Sequence, residues 1–199
     1  MEQNQENKMR QIRIEKLTLN VGAGKDAVKL KKGIKLLKNI TGVDPLTTFT
    51  QKRIPAWGLR PGLPIGCKIT LRKTKATQLL PRLLDAKSLQ LKKDNFDSCG
   101  NVSFGIHEYI DIPGVGYDPE IGVLGLQVCL TLARPGYRVK FRRLRKSFIN
   151  PKHIIKQDEA ISFMGSAFRV KVGEEEWSVK KNELQWLSQS FQAIEEQDQ

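Results

Sequence analysis

The sequence predicts an α+β fold: an open, mainly antiparallel sheet with helices packed on one face. Three observations lead there. The candidate elements run strand, helix, strand, strand, helix, then two strands and a final helix. Within one of those strands, IGCKITLR, Ile65, Cys67, Ile69 and Leu71 alternate with Lys68, Thr70 and Arg72, so one side is apolar and the other polar and basic. Finally, 199 residues at 39% hydrophobic content suffice for one ordinary core, and neither an internal repeat nor a Gly/Ser-rich linker divides the chain.

The first strand is KLTLNVG, where Leu17, Leu19 and Val21 alternate with Thr18 and Asn20. A helix of about four turns follows, with Ala27, Leu30, Ile34 and Leu37 forming one apolar stripe. Asp26 is placed to cap its start and Gly42 to end it. PLTTFT and IGCKITLR are the next strands. Between them, residues 51–66 hold Pro55, Pro61 and Pro64 with Gly58, Gly62 and Gly66, which exclude a helix or a continuous strand. A second helix is expected over 75–86, kinked by Pro81. VSFGIHEYIDI and LQVCLTL are expected strands around the loop PGVGYDPEIG, and a short helix is expected over 158–164. Residues 1–172 are expected to form one domain with a loose start over 1–9. Residues 173–199 form an acidic extension, in which Leu184, Leu187 and Phe191 are spaced to allow a helix.

Charge narrows the partner class. Lys and Arg outnumber Asp and Glu by 34 to 21, a formal net charge of +13, and a field of that sign attracts polyanions. Its arrangement says more than its sum. Residues 121–157 contain no acid, yet they carry Arg134, Arg138, Lys140, Arg142, Arg143, Arg145, Lys146, Lys152 and Lys156, interleaved with Tyr137, Phe141 and Phe148. Such a density on a free surface repels itself, so phosphate contact is the expected use. The six lysines between Lys25 and Lys38 are less telling, since a solvated helix face accounts for them as well as RNA contact does. Residues 173–199 hold seven acids and two lysines and should face away from RNA. No run of eighteen apolar residues exists and the start MEQNQENKMR has no apolar signal core, so a cytoplasmic protein without membrane attachment is expected.

Catalytic and metal chemistry find little support. Cys67, Cys99 and Cys129 are too far apart in sequence for a CxxC corner and are expected to be reduced and packed. His107, expected in a strand, and His153, in a basic loop, have no spaced ligand cluster around them. VGAGKDA places Gly22 and Gly24 before a helix, where backbone amides can form a nest for a phosphate. It lacks the GxxxxGK[ST] and GxGxxG spacings of nucleotide loops. No GxSxG, HExxH or spaced carboxylate pair occurs, so neither an enzyme nor a cofactor is expected.

Three segments together, KLTLNVGAG (16–24), IPAWGLRPGLPIGCKITLR (54–72) and GNVSFGIHEYIDIPGVGYDPEIGVLGLQVCLTL (100–132), resemble the L5 family of large-subunit ribosomal proteins. ARPGYRVKFRR (133–143) is similar to its archaeal and eukaryotic branch. The resemblance covers roughly residues 10–170. It implies a place in the large ribosomal subunit, attachment of 5S rRNA in the central protuberance, contact with P-site tRNA and a bridge to a protein of the small-subunit head. Other large-subunit proteins are expected neighbours, and contact with 23S rRNA is left open.

The family's 5S rRNA hydrogen-bonding positions fall on Asn20 and Thr70, both on the polar phase of their strands. Gly22, Gly24, Lys68 and Arg72 complete the expected 5S rRNA set. Lys52, Arg53, Trp57 and Arg60 form an expected tRNA-contact loop, for which a hairpin connection with Trp57 tucked onto the domain is the alternative. Arg134, Arg138, Lys140, Arg142, Arg143, Arg145 and Lys146 are expected on other rRNA phosphates. Two positions depart from the family pattern: Val43 stands where Gln is common, and Lys156 opens the last helix where Thr is usual. A free-standing RNA chaperone, a DNA-binding module and an rRNA-modifying enzyme are the rival readings.

Overall fold

A computed structural model of the chain describes residues 7–173. Its strands are β1 (Arg13–Gly22), β2 (Leu46–Phe49), β3 (Pro64–Leu71), β4 (Gln90–Lys92), β5 (Val102–Ile106), β6 (Leu126–Ala133) and β7 (Lys171–Gly173). Five of them form the main sheet in the order β2-β3-β1-β6-β5, with every neighbouring pair antiparallel. The helices are α1 (Ala27–Thr41), α2 (Lys73–Asp85), the single turn α3 (Arg138–Phe141) and α4 (Gln157–Phe168). The sheet is open and the α+β class is as expected.

Period-two alternation decides which side is covered. Leu17, Leu19, Val21, Cys67, Ile69, Leu71, Val128 and Leu130 are buried on one face, against Leu30, Leu36, Leu37 and Ile40 of α1 and Leu79, Leu80, Leu83 and Leu84 of α2. The buried stripe of α1 is not quite the expected one, because Ala27 is exposed and Gly33 faces the sheet. A Cβ at Gly33 would stand 3.0 Å from Val21 Cγ1 and 3.1 Å from Cys67 Sγ, so the missing side chain lets the helix sit close. Asp26 occupies the N-cap position of α1 without a side-chain bond, whereas Gly42 ends the helix at φ 66° with its N–H donated to the Lys38 carbonyl.

Other expectations change in detail. The second helix starts at Lys73 and runs through Pro81 without ending. The fourth expected strand stops at Ile106; His107 is exposed at a bend, and Tyr109–Asp111 form a 3-10 turn. Only Cys67 is buried, and desolvation pushes its thiol up to about 11; Cys99 and Cys129 are exposed. Cys129 shares the outward phase of its strand with Gln127, which explains its exposure. The last helix is longer than expected, and Glu159 accepts a hydrogen bond from the Lys156 backbone N–H, supplying the cap that Lys156 cannot. The parallel pair of β4 with β7 has no signal in the sequence pattern. Within the expected loose start, Arg10 N–H bonds Asn7 O and Met9 lies against Gly136. Residues 174–199, including the expected tail helix, lie outside the described residues.

Gly66 and Gly22 face each other across β3 and β1 but have unlike surroundings. A Cβ at Gly66 would stand 2.7 Å from the Val21 carbonyl oxygen, whereas one at Gly22 meets nothing within 4 Å. Gly66→Ala should cost about 1–3 kcal/mol in urea denaturation because the strand backbone must shift. Gly22→Ala should be close to neutral by the same measurement, and equal losses at both would contradict this packing.

Candidate nucleic-acid interface

The sheet face opposite α1 and α2 presents rows of polar side chains. In one row Lys68 of β3, Asn20 of β1, Gln127 of β6 and Gly105 of β5 are successive cross-strand partners; in the next, Thr70, Thr18, Cys129 and Ser103 are. Asn20 Nδ2 donates to Gln127 Oε1 at 3.0 Å, which fixes the orientation of the Asn20 amide. Lys68 and Thr70 are exposed. Arg72, also exposed, is the residue before α2.

The structure therefore brings Asn20, Lys68 and Thr70 onto one surface. Gln127, Thr18 and Ser103, which sequence reasoning missed, stand beside them. Alternation along LQVCLTL does put Gln127 on the polar phase, but nothing in the sequence order says that β6 lies next to β1.

Gly22 is at the end of β1 and Gly24, at φ 62°, lies in the turn before α1. Ala23 donates its N–H to Ile65 O and Asp26 donates its own to Ala23 O, so the amide nest expected there is smaller than the sequence allows. Val43, the departure from the family pattern, packs against the core.

Residues 50–63 form a pinned hairpin. Thr50 N–H and Oγ1 both donate to Leu63 O, Gly62 N–H donates to Thr50 O, and Ile54 and Leu59 exchange two backbone bonds at 3.1 Å. Pro55–Trp57 make a 3-10 turn that Gly58 closes at φ 66°. At this tip Trp57 is 68% exposed, so it is displayed rather than tucked onto the domain. Lys52, Arg53 and Arg60 are exposed along the same hairpin.

The basic arm leaves the sheet after β6, and its base is stapled. Arg134, expected on a phosphate, is 6% exposed instead. Its guanidinium donates to Arg10 O at 3.1 Å, His153 O at 3.4 Å and Glu159 Oε1 at 2.9 Å, which removes it from the set available to RNA. Tyr137 Oη donates to the same His153 carbonyl, and burial pushes its phenol up. The Lys156 backbone N–H, with Arg134 next, holds the Glu159 carboxyl below its ordinary value. Beyond the staple, Arg138, Lys140, Arg142, Arg143, Arg145 and Lys146 are all exposed. Among the described residues the ion pairs use Lys35, Lys38 and Arg134, so these six arm cations have no acidic partner there.

Among the described residues neither α1 nor α2 packs on the polar sheet face and the exposed arm cations have no acidic partner, a combination that suits an extended anion. Comparison with known proteins decides the family. Residues 7–60 match the model described as ribosomal protein L5, and residues 64–171 match the model for the C-terminus of the same ribosomal family. The chain belongs to the ribosomal protein L5 family. It is 44% identical over 173 residues to the large ribosomal subunit protein uL5 of Sulfolobus acidocaldarius, covering 87% of this chain and 97% of that one. The protein of the same description from Nanoarchaeum equitans is 45% identical over 84% of this chain and 99% of its own. That from Sulfurisphaera tokodaii is 44% identical over 84% and 96%. L5 proteins of this archaeal type are structural and non-enzymatic.

The Arg134 staple carries a stability consequence. Arg134→Met removes the only buried guanidinium among the described residues and takes its donors from Arg10 O and Glu159 Oε1, while His153 O keeps Tyr137 Oη, which should lower stability by about 2–3 kcal/mol in denaturant. The Lys156 N–H lowers the Glu159 carboxyl in both proteins, and the part that Arg134 adds is present above the ordinary carboxylate range and is lost as pH falls through the folded value. The gap between wild type and variant should therefore narrow in acid. A gap that widens as pH falls would contradict the pairing.

Proposed function

We propose that this chain, a non-catalytic constituent of the large ribosomal subunit in the cytoplasm, seats 5S rRNA against the open face of its sheet and the basic arm. The place in the large subunit follows from the family. The observation that carries the finer reading is the polar row Lys68, Asn20, Gln127 beside arm cations that have no acidic partner among the described residues. The apolar face of the sheet is spent on α1 and α2, so the polar one is left for a partner. Short polar side chains bond ribose hydroxyls and phosphates by shape, and the arm supplies charge that depends little on sequence.

The hairpin 50–63 is the proposed contact to P-site tRNA. Its four cross-hairpin backbone bonds and its prolines mean that little conformational freedom is lost on contact, and Trp57 offers a ring at the tip. A bridge to a small-subunit head protein, neighbouring large-subunit proteins and contact with 23S rRNA belong to the same reading.

Two classes of variant separate readout from charge. Asn20→Ala and Thr70→Val should each weaken 5S rRNA binding by about 1–3 kcal/mol, with the salt slope nearly unchanged. Replacing Arg142, Arg143 and Arg145 together by Gln should instead reduce the slope of log K against log salt by up to roughly two or three. A Gly/Ser turn in place of residues 55–62 should spare both and weaken tRNA retention in reconstituted ribosomes. Filter binding in which Asn20→Ala and Thr70→Val retain wild-type affinity would remove the open face from the interface.

A further inference from the structure

A cavity of about 520 Å3 lies where the basic arm comes over the β5–β6 end of the open face. Its volume is in the range of clefts that hold small organic ligands, roughly 300–1,000 Å3. Tyr137, Phe141 and Phe148 of the arm line one side, and Asn101, Ser103 and Thr131 bring polar atoms from the sheet side. The charged residues at the lining are Lys16 and Lys140, with Glu15 as the one acid.

The three rings are not equivalent. Tyr137 is fixed, with its hydroxyl on His153 O and its ring edge-on to the His153 imidazole at 5.8 Å. Phe141 has the Lys140 ammonium 5.8 Å from its ring centre. Phe148 is 99% exposed, which no packing requirement of the domain explains. An unburied phenylalanine, on an arm whose cations have no acidic partner among the described residues, forfeits hydrophobic stabilisation unless a partner covers it.

We propose that this groove takes an unpaired nucleobase extruded from the bound RNA, stacked on Phe148 and Phe141, with its phosphates held by Lys16, Lys140 and the arm arginines. The inference rests on the RNA reading of the open face and adds to it a preference for unstacked nucleotides. Lys16 and Lys140 outnumber Glu15 at the lining and the arm adds further cations, so a nucleotide, which brings an anion and a flat ring together, fits where a neutral or basic protein segment does not. Paired bases in an A-form helix present neither face, so only a bulge, loop or end can fill the site. Asn101, Ser103 and Thr131 then supply donors and acceptors for base edges.

The test uses the full chain and two RNA hairpins that share one stem sequence, the first fully paired and the second carrying an added three-nucleotide bulge with a central 2-aminopurine. The wild type should bind the bulged hairpin roughly tenfold more tightly, and its 2-aminopurine emission should fall on binding. A Phe141→Ala/Phe148→Ala double variant, whose thermal melt should match wild type because both rings are exposed, should bind the two hairpins alike with an unchanged salt slope. Equal wild-type affinity for the two hairpins would overturn the proposal while leaving the RNA interface standing, as would a preference that survives in the double variant. Failure of the wild type to bind either hairpin at low salt would sink the interface and the groove together.

Discussion

Everything on the open face depends on the alternation of β1, the central strand. Leu17, Leu19 and Val21 are held in the core by α1, α2 and the neighbouring strands, so Thr18 and Asn20 have no choice but to face outward. A slip of one residue would exchange the two sets. The buried leucines thus fix the register of the open face, and the cross-strand partners Lys68, Thr70, Gln127 and Ser103 inherit their positions from the same ladder. Stability of the core and placement of the polar row are one constraint seen from two sides.

The basic arm needs a different device, because it leaves the sheet and has no ladder to hold it. Arg134 provides one by joining the N-terminal segment, the residues around His153 and α4 through a single guanidinium. Its planar fork suits three acceptors in different directions better than a lysine could. With that base fixed, the six exposed cations from Arg138 to Lys146 start from a defined point beside β5 and β6. Self-repulsion among them is tolerable when phosphates stand in for the missing acids.

Much of this is legible in the sequence, for reasons that also explain the failures. Period-two patterns report local backbone geometry, so β1, β3 and β6 and the outward phase of Asn20 and Thr70 can be read directly. Gln127 cannot be assigned as a neighbour of Asn20, because strand order comes from long-range pairing that no local pattern encodes. Arg134 misleads for a related reason: a basic run gives charge density, while the burial of one member depends on three acceptors distant in the chain. Gly33 escapes notice on α1 because close helix–sheet approach is signalled by a missing side chain rather than an apolar one. The β4–β7 pair is invisible since three-residue strands carry almost no periodicity.

The central claim, proposed above, is that 5S rRNA is held against the open face and the arm rather than against α1. Amine-reactive labelling of the lysines, with and without bound 5S rRNA and resolved by mass spectrometry, measures it directly. Lys68, Lys140 and Lys146 should be strongly protected in the complex, and Lys29 and Lys31 on the exposed side of α1 should react as they do in the free protein. Protection of the α1 lysines with Lys68 and Lys140 unprotected would contradict the account.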